Sequence, residues 1–266
     1  MKLATYSSDG IMAVGLVDPD AGTLWPLAGM KGVGALDMVE LIARFAEFRG
    51  RIEAGGESLK LADVALEAPI PRPPRNIFCV GKNYYEHAHE FSSSGYDSSA
   101  VFGAVPDQPI IFSKVPQSVI GPGATIDRHE GVTDRLDYEV ELAVIIGPGG
   151  RGIKKADAFD HVWGYTIIND MTARDLQGRY KQWLIGKSLD TLCPMGPWAV
   201  TAGEVDIATA RVQSWVNGEP RQDAAVKDMI FDIPTLIETI SAGITLIPGD
   251  IISTGTPAGV GIGFDP

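Results

Sequence analysis

The segment Leu136-Asp-Tyr-Glu-Val-Glu-Leu-Ala-Val-Ile-Ile-Gly147 constrains this chain more than any other. From Asp137 to Leu142 it alternates charged or polar with apolar residues. In a β-strand Asp137, Glu139 and Glu141 therefore face one way, while Tyr138, Val140 and Leu142 face the other. The run becomes wholly apolar over Ala143–Ile146, so the strand continues into a core. Carboxylates two residues apart on one face lie about 7 Å apart. At that spacing they repel and raise one another's pKa unless positive charge lies between them. A divalent cation meets that need, and oxygen-only ligation suits Mg²⁺, Mn²⁺ or Ca²⁺ rather than zinc or copper. A half-exposed strand with hydrated charges gives the same alternation.

Around this strand the chain reads as β-rich. Strands are expected at Met12–Val17, Gly22–Leu27, Asn76–Gly81, Pro109–Ser113, Asp137–Ile146, Trp163–Ile168, Trp198–Val200, Val212–Val216 and Asp250–Thr254. Apolar residues at helical spacing predict a helix over Ala35–Phe48, ended by Gly50. Two more helices are expected at Met171–Gln177 and Pro234–Ala242, the second opened by Asp232 and Pro234. Ala68-Pro-Ile-Pro-Arg-Pro-Pro-Arg75 cannot be helical and reads as an extended linker. It divides a small N-terminal α/β unit, residues 1–70, from a larger one, 71–266. Few helices among many strands argue for a mixed α+β, β-rich fold over regular βαβ alternation.

The net charge of −12 offers no electrostatic footprint for nucleic acid and opposes docking on an anionic membrane. No apolar run approaches the roughly 20 residues of a membrane span, and no apolar h-region forms before Asp9, so no secretory leader is expected. Cys79 and Cys193 form no framework or zinc motif and read as buried thiols. A cytoplasmic protein is expected.

Other segments carry candidate chemistry. Trp163–Asp170 is an apolar strand ending in Asn-Asp, where Asp170 is either a ligand carboxylate or the N-cap of the next helix. On a helix over Tyr84–Phe91, His87 and Glu90 are i, i+3 neighbours. A carboxylate beside an imidazole fixes its tautomer and raises its basicity, as a general base requires. Ser92–Ser99 is small and polar and reads as a loop that could close over a ligand. Lys187, with Arg174 and Gln177, could hold a carboxylate or keto oxygen. The Ser253-Thr-Gly-Thr-Pro turn offers backbone donors and Thr256 to an anion. Gly147-Pro-Gly-Gly-Arg-Gly152 satisfies the dinucleotide fingerprint, with Asp170 downstream. Its strand carries alternating acids and its glycines do not open a helix, so it reads as a tight loop rather than as part of a dehydrogenase.

Taken in order, Val80-Gly-Lys-Asn-Tyr with His87 and Glu90, Asp137-Tyr-Glu-Val-Glu-Leu, Asn169-Asp-Met-Thr-Ala-Arg-Asp-Leu-Gln177, Gly186-Lys-Ser and Ser253-Thr-Gly-Thr-Pro-Ala-Gly-Val-Gly resemble the fumarylacetoacetate hydrolase family from Asn76 onward. The resemblance implies a mixed β-sandwich roll with a small domain before it. It implies an Mg²⁺ or Mn²⁺ site (Ca²⁺ in vitro) on Glu139, Glu141 and Asp170. It assigns water activation to His87 and Glu90, stabilisation of developing negative charge to Lys187, and substrate contacts to Arg174, Gln177 and Thr256. It further implies a small oxo-acid substrate and a homodimer. Relatives usually continue with a further strand pair beyond Phe264-Asp-Pro266.

The activity expected from this set is hydrolysis of a carbon–carbon bond in an acylpyruvate-type acid, as in aromatic catabolism. The same enolate stabilisation serves decarboxylation of oxaloacetate-like acids, or isomerisation of 2-hydroxymuconate or heptadienedioate intermediates. A metal-binding structural protein on the same fold is the non-enzymatic alternative.

Overall fold

A computed structural model describes residues 1–97 and 104–264. The chain opens with a meander of β1 (Lys2–Ser8), β2 (Ile11–Asp18) and β3 (Thr23–Pro26). Helices α1 (Met38–Ala43) and α2 (Phe45–Phe48) follow, then the short strands β4 (Leu59–Lys60) and β5 (Ala65–Leu66). After the proline segment come β6 (Ile77–Gly81), α3 (Tyr85–Ser93), β7 (Ile110–Lys114) and β8 (Val119–Ile120). The centre holds β9 (Leu136–Asp137), β10 (Val140–Ile146), β11 (Val162–Asn169) and β12 (Thr172–Ala173), followed by α4 (Arg174–Arg179) and α5 (Leu184–Lys187). The chain continues through β13 (Cys193–Thr201), the hairpin β14 (Arg211–Val216) and β15 (Glu219–Ala225), α6 (Ile233–Ser241) and β16 (Ile251–Ser253).

One large mixed sheet runs β4-β3-β2-β1-β13-β11-β10-β16-β6-β7. Strand β10 sits in its middle and every residue from Val140 to Ile146 is buried. That explains the apolar run: a central strand covered on both faces has no solvent side on which to place polar residues. Below the sheet Leu3, Leu41, Phe48, Ile77, Ile145 and Trp163 share one core. Above it Val144, Ile146, Leu236, Ile237 and Ile240 share another, closed by α6. The Asp232 side chain accepts from Thr235 N–H and starts α6 with Pro234 in its first turn. Residues 1–70 feed the same sheet, because β1 pairs with β13 at Lys2↔Val200 and Leu3↔Ala199.

Several expected elements differ in extent. The helix read over Ala35–Phe48 begins only after the Asp37 capping box with Glu40 and breaks at Arg44, whose φ is −116°. The strand read over Asp137–Ile146 is interrupted at Tyr138 and Glu139, where Glu139 N–H donates to the Asn169 side chain instead of a sheet partner. The helix read over Met171–Gln177 begins at Arg174, since Thr172 and Ala173 pair with Asp137 and Leu136. Gly149 and Gly150 form a tight loop against Leu246, which Gly150 meets through two backbone hydrogen bonds of 2.8 and 2.9 Å. That leaves the glycines as packing positions, with no helix opened to receive a pyrophosphate. Ser92 and Ser93 end α3 instead of starting a loop, and Ser98 and Ser99 lie outside the described residues. Among the described residues no helix is long and apolar enough to cross a membrane.

Candidate active site

The sheet brings the acids to one end of β10. Glu139 and Glu141 approach Asp170, which follows β11, because β10 and β11 pair in antiparallel register with Val140 opposite Asn169. One oxygen from each of the three carboxylates lies within 4.8 Å of the others. Glu139, Glu141 and Asp170 are buried, as is Asp137. The hydrated-strand reading is thus excluded. Asp170 does not cap α4, whose N-cap residue is Ala173, with no side-chain cap.

Cations interlock this cluster. Lys187 Nζ reaches Glu139 Oε2 and Asp170 Oδ2, both at 2.7 Å. Arg174 bridges Asp137 at 2.8 Å and Glu139 at 2.7 Å, and its other nitrogen donates to Gln177 at 3.2 Å. Lys114 pairs with Asp170 at 2.7 Å and donates to the carbonyls of Met171 and Lys187. Lys114 escaped the sequence reading because it stands at the end of an ordinary apolar strand; only the fold carries it to Asp170. Gly186 is required beside Lys187, since a Cβ there would sit 2.6 Å from Gln177 N and 2.9 Å from Ala173 O. That close approach of α5 to α4 sets the lysine over the acids.

The electrostatics follow from burial and neighbours. Burial alone would raise the Glu139 carboxyl, but Lys187 and Arg174 overturn this and hold it at about 2. Burial raises Glu141 as well, and here Asp170 and Glu139 add like charge, pushing it up to about 8. Ser253 Oγ at 2.6 Å and Gly255 N–H at 2.9 Å donate to a single Glu141 oxygen. Burial works against the Lys187 charge, and Asp170 and Glu139 outweigh it, raising the lysine above its ordinary value. The donor set is entirely oxygen, and the like-charge crowding that raises Glu141 is what a hard divalent cation on Glu139, Glu141 and Asp170 would relieve.

His87 and Glu90 meet as expected on α3, with Nδ1 3.0 Å from Glu90 Oε2. The other Glu90 oxygen accepts from Gly259 N–H at 3.1 Å. Gly263 packs so closely on that carboxylate that a Cβ would lie 1.8 Å from Oε1. The turn after β16 thereby fixes the dyad and also caps Asp137 through Gly261 and Ile262 N–H. Sequence reasoning treated this turn only as a possible anion site. Thr256 is buried, donates to Val140 O at 2.9 Å and accepts from Gln222 at 2.7 Å. His87, Glu139, Glu141, Arg174, Gln177, Lys187 and Thr256 line one small cavity of about 20 Å³, walled by Phe91, Phe112 and Trp183. Asp170 and Glu90 stand behind it as partners of lining residues.

Comparison with known proteins agrees with this architecture. Residues 76–266 match the model of the fumarylacetoacetate (FAA) hydrolase C-terminal family. The chain belongs to the fumarylacetoacetate hydrolase family. This family member is 53% identical over 215 residues to oxaloacetate tautomerase YisK of Bacillus subtilis (strain 168), covering 80% of this chain and 69% of that protein. Its fold superimposes on a fumarylacetoacetate hydrolase from Exiguobacterium antarcticum with a TM-score of 0.82 at 40% identity, covering 99% of this chain and 89% of that one. Maleylpyruvate hydrolase of Sphingobium sp. SYK-6, solved with manganese(II) and pyruvate, gives 0.77 at 33% identity over 98% of this chain and 90% of that one. The family includes hydrolases, isomerases and tautomerases, so the fold is shared across reactions.

Proposed function

We propose that this protein is a divalent-metal-dependent enzyme that interconverts the keto and enol forms of a small 2-oxo dicarboxylic acid, oxaloacetate being the first substrate to test. The observation that carries the reading is the His87–Glu90 pair, held by Gly259, with His87 on the cavity that Glu139, Glu141 and Lys187 line and Asp170 backs. The 53% identity to an oxaloacetate tautomerase supports it.

A divalent cation held by Glu139, Glu141 and Asp170 supplies Lewis-acid polarisation of the substrate's 2-oxo group when bound. Glu90 accepts a hydrogen bond from His87 Nδ1–H, which leaves Nε2 as the base. His87 takes a proton from C3 of the keto acid, the C3–H electron pair forms the C2=C3 double bond, and the C2=O π pair moves onto the oxygen. Transfer of that proton from His87 to the oxygen completes the enol, and the reverse path returns it to C3. Lys187 and Arg174 hold positive charge at the cavity floor where the enolate develops. Phe91, Phe112 and Trp183 keep the wall apolar, so that charge is weakly screened.

Carbon–carbon hydrolysis of an acylpyruvate is the second reading. It uses the same His87–Glu90 pair to deprotonate water, and the likeness to maleylpyruvate hydrolase favours it. The deciding experiment follows enol absorbance of oxaloacetate with Mg²⁺ or Mn²⁺ and, in parallel, resolves the products formed from acetylpyruvate. Tautomerisation lost in His87→Ala supports the proposal. Pyruvate plus acetate from acetylpyruvate, with oxaloacetate left at its spontaneous rate, transfers it to the hydrolase reading.

A further inference from the structure

Lys82 lines the same cavity and has no part in the scheme above. It is 2% exposed, in a backbone conformation that L-residues rarely adopt, with φ of +54°. Its neighbour Asn83 locks that conformation by donating to Thr254 O at 2.7 Å and Phe231 O at 3.0 Å, and by accepting from Phe231 N–H at 2.8 Å. The ammonium is thereby aimed across the cavity wall, 5.7 Å from the centre of the Phe91 ring. It pairs with Asp97 at 2.7 Å and with Ser92 Oγ at 3.2 Å.

The three cations lining the cavity differ in what holds them. Arg174 is held by Asp137 and Glu139, and Lys187 by Glu139 and Asp170, all on or beside the central sheet. Removing either from those acids would leave buried carboxylates unpaired. Lys82 is instead held by a carboxylate from the stretch after α3, and its ion pair contains the charge type that an anionic ligand would bring. A second carboxylate entering the cavity can share or take the Lys82 ammonium without disturbing the acid cluster.

We infer that Lys82 is the subsite for the second carboxylate of a dicarboxylic 2-oxo acid, with Asp97 holding the place in the ligand-free protein. This rests on the proposed function for the substrate class but is testable without turnover. The Mg²⁺-loaded protein is titrated calorimetrically with oxaloacetate, with 2-oxobutyrate (the same carbon skeleton with a methyl in place of the distal carboxylate) and with oxalate. Wild type should prefer oxaloacetate over 2-oxobutyrate, and K82M should reduce that preference by about tenfold or more. The loss should fall on oxaloacetate, with 2-oxobutyrate and oxalate unchanged within about threefold, and K82R should keep most of the preference. K82Q retains a donor toward Asp97 without the charge and should behave as K82M does. A preference that survives in K82M and K82Q, its absence in wild type, or equal weakening of all three ligands would overturn the assignment. If wild type fails to turn over oxaloacetate, the tautomerase reading falls while the three titrations still decide the role of Lys82.

Discussion

The floor and the wall of the cavity are built on different principles. On the floor Asp170, Glu139, Arg174 and Lys187 each meet two oppositely charged partners, and all stand at the ends of sheet strands or on the short helices α4 and α5. On the wall Lys82 with Asp97 and His87 with Glu90 are pairs carried by α3 and its flanks. An interlocked floor resists change, because each charge removed strands two partners in a low-dielectric interior. A wall of pairs can exchange partners, which suits proton transfer and ligand selection. The difference teaches where to look for chemistry common to a fold and where to look for its substrate.

The sharpest way to break this contrast is at Glu139. Glu139→Ala leaves Lys187 and Arg174 short of a partner and should cost about 3–5 kcal/mol of stability. It should also abolish Mn²⁺ binding. Urea denaturation and calorimetry check both, and a loss under about 1 kcal/mol with normal Mn²⁺ uptake would show that the floor is not interlocked.

On the wall, His87→Ala should lower kcat by about 10²- to 10⁴-fold. Its urea midpoint should move far less than that of Glu139→Ala. A midpoint shift as large as at Glu139 would erase the distinction between the regions.

Gly263→Ala probes the same pair from outside the cavity. The added methyl must displace the Glu90 carboxylate, which should cost about tenfold in kcat with Mn²⁺ affinity intact. Unaltered kinetics would mean that the turn after β16 does not position the dyad.

The smallest effect calibrates the rest. Lys155 pairs with Asp232 at 2.9 Å on the exposed surface, and Lys155→Ala should change stability by less than about 1 kcal/mol. A larger loss would place surface pairs and floor pairs on one scale.

Much of the site was legible because its residues sit in short local patterns. Alternation placed Glu139 and Glu141 together, and i, i+3 spacing placed His87 beside Glu90. Elements without a local pattern were missed. Strand β1 is written in Lys, Thr and Ser as much as in Leu and Tyr, so its burial against β13 left no clear period. Strand β15 carries polar side chains, proline and alanine and no large apolar residue, although the Asn217-Gly218 turn before it, with φ of 53° and 82°, is the hairpin signal that could have revealed it. Lys114 had no signal at all, because its partner Asp170 is 56 positions away in the chain.

By itself the sequence determined the β-rich character, the acidic strand, the His–Glu pair and the family, since each depends on residue type at fixed short spacing. Only the tertiary structure decided that the acids are buried, that Arg174 and Lys187 are bound to them, that Asp170 faces Lys114, and that Lys82 shares their cavity. Those facts depend on which strands pair and how closely helices approach. Long-range packing sets them through the sum of many weak contacts, which no local stretch of residues encodes.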